Sequence, residues 1–179
     1  MQFGSAASPR ARATISPPDF GVLKWREIGP AVMGGRLDAV AGVPGDGNTI
    51  YLGHSSGGLY KSTDAGMTFT PVFHAGTSSS IGAIAVAPSD SKTIYAGTGE
   101  GFPRNTAGLG DGVFISRDAG TTWHAAGLAK TEHIARLAVD PHDPSNVLAA
   151  AMGPEFNPGG DRGIFRTTDG GKHWTRTLW

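Results

Sequence analysis

The 179-residue chain contains no cysteine. That excludes a disulfide framework, a thiolate zinc site and thiol catalysis. No apolar run approaches the ~18 residues that a membrane-spanning helix needs. Net charge is missing as well: 15 Lys and Arg balance 15 Asp and Glu, and no basic stripe breaks the balance. A grip on nucleic acid through phosphate neutralisation is therefore not expected. Apolar spacing of i, i+3, i+4 never persists for three turns, so helices are not expected either. Glycine is plentiful: 28 residues, about 16% against a usual ~7%. Together with 12 prolines, it points to many tight turns between short strands.

Three segments repeat: Ser62-Thr-Asp-Ala-Gly-Met-Thr-Phe69, Ser116-Arg-Asp-Ala-Gly-Thr-Thr-Trp123 and Thr167-Thr-Asp-Gly-Gly-Lys-His-Trp174. Their aspartates, Asp64, Asp118 and Asp169, lie 54 and 51 residues apart. Upstream, Leu37 to Pro44 aligns with Ile81 to Pro88 and Ile134 to Pro141. A second apolar run follows each proline, at Ile50 to Gly53, Ile94 to Gly97 and Val147 to Ala150. A third run precedes each aspartate, and a fourth starts at Phe69, Trp123 and Trp174. Four short strands in every ~50 residues are the signature of a propeller blade. The expected fold is all-β: a partial β-propeller of three four-stranded blades at about 34–73, 80–128 and 133–179. The first strand of each unit is rich in Ala, Val and Ile, as a strand buried on both faces would be.

Residues 1–20 read as a flexible leader without the apolar stretch of a signal peptide. Trp25 to Pro30 reads as an outer strand (24–30) that belongs to the closing blade. Closed propellers have typically four to eight blades, so three blades need a partner. That partner is either the remaining blades of the same propeller or another copy of the chain.

The S-x-D-x-G-x-T-W pattern resembles the Asp box, or BNR repeat, of sialidases, sortilin-type receptors and xyloglucan-cleaving propeller hydrolases. The resemblance implies a hairpin turn locked by its aspartate, with Gly66, Gly120 and Gly171 permitting positive φ and Phe69, Trp123 or Trp174 folding between blades. Such turns are widely spaced and lie opposite the usual binding loops, so they read as structural and not as catalytic or calcium-binding carboxylates. Phe69 for Trp, and His173 for Thr, imply weaker locking at those two turns. Trp25 to Arg36, the Gly-Thr-Gly-Glu100 run and His133-Ile-Ala-Arg136 resemble bacterial sortilin N-terminal-like or glycosyl-hydrolase-like propellers. Proteins of that kind are long and exported, which implies an extracellular or periplasmic location.

In xyloglucan-cleaving relatives a catalytic carboxylate precedes a Gly-Gly pair in a pattern like R-T-D-x-G-G-x-Y. The matching run here, Gly53 to Tyr60, places Ser55 at that position. A hydroxyl cannot serve as the general base a carboxylate provides. Binding on a loop rim is the leading expectation, with a glycan or peptide as ligand. A glycoside hydrolase whose catalytic groups lie elsewhere is the alternative. Long loops between the second and third strands of blades two and three bring Glu100, Phe102, Arg104, Asn105, Glu155, Phe156, Asn157, Asp161 and Arg162 to the rim. Solvated loops packing on a further blade remain open as the other reading of these residues. Arg36, His133 and Arg136 start inner strands near the channel mouth, where Glu100 or Glu132 is positioned to pair with an arginine. No His, Asp and Glu set has metal-ligand spacing, and no helix follows Gly97-Thr-Gly-Glu-Gly101 to make a phosphate loop. Neither a metal nor a cofactor is expected.

Overall fold

The computed structural model describes residues 35–102, 104–158 and 160–178. The leader and the outer strand expected at 24–30 lie outside the described residues. Twelve strands and no helix occur among those residues. Blade one comprises β1 (Leu37–Val43), β2 (Asp46–His54), β3 (Gly58–Ser62) and β4 (Thr70–Pro71). Blade two comprises β5 (Ile81–Ala87), β6 (Asp90–Thr98), β7 (Val113–Ser116) and β8 (His124–Ala125). Blade three comprises β9 (Ile134–Val139), β10 (Val147–Ala151), β11 (Gly163–Thr167) and β12 (Thr175–Leu178). Each blade is an antiparallel meander paired in chain order. The fold is all-β, a partial β-propeller of three blades. Outer strands begin one residue later than the sequence pattern suggests, because Phe69, Trp123 and Trp174 close the preceding turn.

Equivalent registers make the repeat physical. Tyr51 pairs with Lys61, Tyr95 with Ile115 and Leu148 with Arg166. Two apolar clusters hold the blades together, and each spans a boundary between neighbours. One joins Tyr51 and Leu59 of blade one to Ile81, Ile94, Phe114 and Trp123 of blade two. The other joins Tyr95, Val113 and Ile115 to Ile134, Val147 and Phe165. Glycine makes the close approach possible. A Cβ on Gly53 would stand 2.7 Å from Ile81 Cγ2, and one on Gly97 would stand 2.4 Å from Ile134 Cγ2. The side chains that open β5 and β9 therefore seat on bare backbone of the blade before them.

Burial of the inner strands corrects one expectation. Only β5 is enclosed along most of its length, whereas β1 and β9, apart from buried Asp38 and Ile134, are made of half-buried and exposed positions. β5 lies between β1 and β9; each of those has only one inner-strand neighbour among the described residues. An Ala- and Val-rich strand needs cover on both sides before both faces leave water.

The three Asp boxes lie at the end of the blades away from the long loops. Asp118 Oδ1 accepts from Thr122 N at 2.8 Å and from Ser116 Oγ at 2.8 Å, and Oδ2 accepts from Thr122 Oγ1 at 2.6 Å. Asp64 makes the same set with Thr68 and Ser62. Gly66, Gly120 and Gly171 have φ of 88°, 91° and 92°. The residues before them, Ala65, Ala119 and Gly170, are left-handed too, at 59°, 60° and 74°. Two of those three carry a side chain in a region that normally favours glycine. The expectation of weaker locking at His173 is corrected: its Nδ1 lies 2.7 Å from Asp169 Oδ2, where the other boxes use a threonine hydroxyl. Lys172 N adds a further bond to Asp169 at 2.9 Å. Phe69 does lack a function that Trp123 and Trp174 perform. Their indole Nε1 atoms donate to Val72 O at 2.8 Å and to Ala126 O at 2.7 Å, each in the preceding blade.

These bonds favour the ionised carboxylates. Hydrogen bonds from the Thr68 and Thr122 hydroxyls, then from the backbone, pull Asp64 and Asp118 from 3.8 down to about 2. Backbone and side-chain bonds from His173 depress Asp169 as well. A depressed folded-state pKa adds stability that is present above the ordinary carboxylate value and lost as pH falls through the folded one. The melting temperature is therefore expected to fall steeply between about pH 4 and pH 2. In Asp118→Ala the slope over that interval should be shallower. Equal slopes in thermal scans of the two proteins would refute the assignment.

Candidate functional site

At the opposite end, each inner strand begins with a distortion of the same kind. β1, β5 and β9 each skip a residue in pairing with the next strand, and the skipped residues are Asp38, Gly82 and Ala135. A bulge re-aims the side chain it carries. In blade one it carries a carboxylate. Asp38, wholly enclosed at its side chain, accepts through Oδ1 from Arg36 Nε at 3.1 Å and from Ser55 Oγ at 2.9 Å. Arg36 Nε also lies 3.0 Å from Ser55 Oγ, and Ser55 N donates to Arg36 O at 3.0 Å. The Arg36 guanidinium reaches across the blade boundary to an ion pair with Glu100. Its bond to Asp38, ahead of the pairing with Glu100, holds the arginine protonated more firmly than usual against the effect of burial.

This network takes up several residues singled out from sequence. Arg36 and Glu100 come together, and the Glu100 side chain is 6% exposed. Glu132 takes a different part: it is left-handed at φ 58°, and its carbonyl accepts from Gly110 N at 2.7 Å. Ser55 is buried within the cluster. Asp38 was not a candidate from sequence, because it sits in an apolar run and the bulge that turns it inward leaves no mark there.

The loop from Gly99 to Gly112 is stitched to the connections on both sides of blade two, at Thr77 and Glu132. Gly99 N donates to Ser80 O at 2.9 Å, Glu100 N to Gly108 O at 2.9 Å, and Thr77 N to Asp111 Oδ2 at 2.6 Å. The glycines of Gly97-Thr-Gly-Glu-Gly101 serve this packing. A Cβ on Gly99 would lie 2.1 Å from Glu132 O, and one on Gly82 would lie 2.2 Å from Gly99 O. His133 is 1% exposed, and neither ring nitrogen has a hydrogen-bond partner among the described residues.

Other rim residues face solvent. Arg136 places its guanidinium 5.4 Å from the centroid of the Phe102 ring, and Phe102 is 47% exposed. Beside them a groove of about 240 Å³ crosses all three inner strands, lined by Asp38, Val40, Gly82, Ile84, Arg136 and Leu137. Arg104 and Asn105 are exposed on the blade-two loop. On the blade-three loop, Arg162 holds the loop closed through Pro154 O and Asn157 O. Asp161 pairs with Arg176 at 3.2 Å, Glu155 is half-buried, and Phe156 and Asn157 are exposed. Two settings thus exist at this end: a closed charge cluster around Arg36, and an open groove edged by Arg136 and Phe102. No group of three or more His, Cys, Asp or Glu is placed to hold a metal among the described residues.

Comparison with known proteins places this geometry in context. A family profile described as sortilin, neurotensin receptor 3 (Sortilin-Vps10) matches residues 57–178. Among curated proteins no relative matches the chain. Solved structures do. The GH74 xyloglucanase from Xanthomonas campestris is 26% identical with a TM-score of 0.59, over 80% of this chain and 21% of that one. An ancestral GH74 enzyme is 25% identical with a TM-score of 0.58, over 79% and 18%. YCF48 bound to D1 peptide has the same fold at 14% identity and a TM-score of 0.55, over 79% and 40%. The chain spans about a fifth of the length of the two GH74 structures.

Proposed function

The chain belongs to the Sortilin-Vps10 family, and from that premise we propose that it is a binding and scaffold segment of a larger exported propeller protein. Its ligand is a peptide or carbohydrate held on the loop rim. The observation that carries this reading is the state of the carboxylates. Where xyloglucan-cleaving propellers would place a reacting carboxylate stands Ser55, and the nearby Asp38 is enclosed and bonded to Arg36 and Ser55. Glu100 is tied to the same arginine. A carboxylate that must take a proton from water needs access to that water, and neither group has it. The open groove offers different chemistry. Its lining is more polar than apolar, with Asp38 and Arg136 beside Val40, Ile84 and Leu137, and its edge carries a guanidinium over a half-exposed aromatic ring, a surface suited to stacking and to polar ligand groups. A propeller of the same fold, YCF48, is described with a peptide bound.

A second reading has one observation behind it: the quarter identity to GH74 enzymes. On that reading the chain is part of a glycoside hydrolase whose reacting groups lie outside the Arg36 cluster or outside this chain. Incubating the full chain with xyloglucan oligosaccharides, and separately with an immobilised peptide array, distinguishes the two. The expected result is no release of reducing ends and saturable binding that Phe102→Ala and Arg136→Ala each weaken at least fivefold. Turnover that disappears in Glu100→Gln would overturn the binding reading.

A further inference from the structure

Two blade boundaries in this chain reveal what a blade face accepts, and the third blade presents a face of the same kind. At each boundary the later blade makes three contacts with the earlier one. Its box tryptophan donates to a carbonyl two residues past the start of the outer strand: Val72 O for Trp123 and Ala126 O for Trp174. The turn end of the later blade presents carbonyls to the earlier one. Ala119 O receives Tyr51 Oη and Lys61 Nζ, each at 3.0 Å, and Pro144 O receives Tyr95 Oη at 2.9 Å. The residue that opens its inner strand, Ile81 or Ile134, seats over Gly53 or Gly97.

On blade three the register assigns Arg166 to the position of Lys61, Leu148 to that of Tyr51 and Tyr95, and Ala150 to that of Gly53 and Gly97. Thr177 stands three residues after the box aromatic, as Val72 and Ala126 do, and falls at the register shift of β12. Thr177, Arg166 and Leu148 line a groove of about 420 Å³ together with Ala138, Val139 and Asn146. Leu148 is 43% exposed, whereas both tyrosines at its position are fully buried. Arg166 Nε is held by Asn146 Oδ1 at 3.0 Å, and in the register the arginine occupies the position from which Lys61 reaches Ala119 O.

We propose that this face docks a further Asp-box blade of restricted type, one with tryptophan at the end of its box and a small residue opening its inner strand. Tryptophan is required to donate to Thr177 O. The small residue is required because Ala150 puts a methyl group where Gly53 and Gly97 leave space for isoleucine. With Leu148 in place of tyrosine, the turn carbonyl of the incoming blade takes its hydrogen bond from Arg166 alone. A second copy of this chain fails both requirements. The positions its first blade would offer are held by Phe69, which has no N–H, and by Leu37, which is as bulky as isoleucine. The occupant is therefore another blade of a larger propeller and not this chain repeated.

The test extends the full chain after Trp179 with a second copy of residues 133–178 in three forms. The first carries Ile134→Ala in the appended copy. The second keeps the isoleucine. The third carries both Ile134→Ala and Trp174→Phe in the appended copy. Hydrogen exchange is read at the amides of β10 and β11 in the original blade three. The first form is expected to slow exchange there at least tenfold relative to the unextended chain, and the other two to lose most of that protection. Absence of protection in the first form, or equal protection in all three, would overturn the proposal. Sedimentation of the unextended chain adds an independent arm. A monomer is expected, and a dimer abolished by Leu148→Glu would make a second copy the occupant and overturn it equally.

Discussion

Gly82→Ala is expected to lower stability by about 3 kcal/mol or more, a large share of the total stability of a domain. Gly82 occupies the bulge of β5, and a Cβ there would stand 2.2 Å from Gly99 O, 2.7 Å from Ile134 O and 2.9 Å from Gly101 N. All three neighbours are backbone atoms. None can rotate aside as a side-chain tip would, so the added methyl must push blade two from blade three or drive out the rim loop. Gly47 supplies the control, because nothing lies within 4 Å of the corresponding position. Gly47→Ala should shift the urea midpoint by an amount equivalent to less than about 0.5 kcal/mol. A Gly82→Ala protein with an unchanged midpoint would mean that the inner strands do not meet as described.

Arg36→Met should rank next. The methionine fills much of the volume but leaves Asp38 and Glu100 buried without their cation. Removing one partner of an enclosed ion pair is strongly destabilising because the remaining charge can no longer be compensated. Two carboxylates share this one arginine, so the loss falls on both. The urea midpoint should drop by roughly 1 M or more. Adding Asp38→Leu and Glu100→Leu should recover a large part of it, since an apolar replacement of a whole buried ion cluster is often nearly neutral. If Arg36→Met melts like the parent, or if the triple variant is no better than the single, the cluster does not hold blade one to blade two.

Much of this architecture was legible in the residues. A repeat of about fifty positions, with apolar runs at fixed offsets and a conspicuous Asp-Ala-Gly turn, announces strands and boundaries because each blade solves the same packing problem. The place of Trp123 and Trp174 between blades is what the resemblance to the Asp box implies, and their indole N–H groups reach the preceding blade. The rim was less readable for a physical reason. A bulge changes which way one side chain points without changing composition, so Asp38 is indistinguishable in sequence from a polar residue on a strand face. The glycines around Glu100 are close-approach points, and that use depends on residues some thirty positions away, Glu132 and Ile134. His173 looked like a weakened turn because threonine is the usual residue. An imidazole reaches the same carboxylate oxygen from the same backbone position.

The tryptophan bond from each blade to its predecessor also has a direction. Trp123 grips blade one and Trp174 grips blade two, so the second and third vanes each lean on the one synthesised before. The indole donor at each boundary thus comes from the later module, while Tyr51, Lys61 and Tyr95 donate the opposite way, so each seam is fastened from both sides.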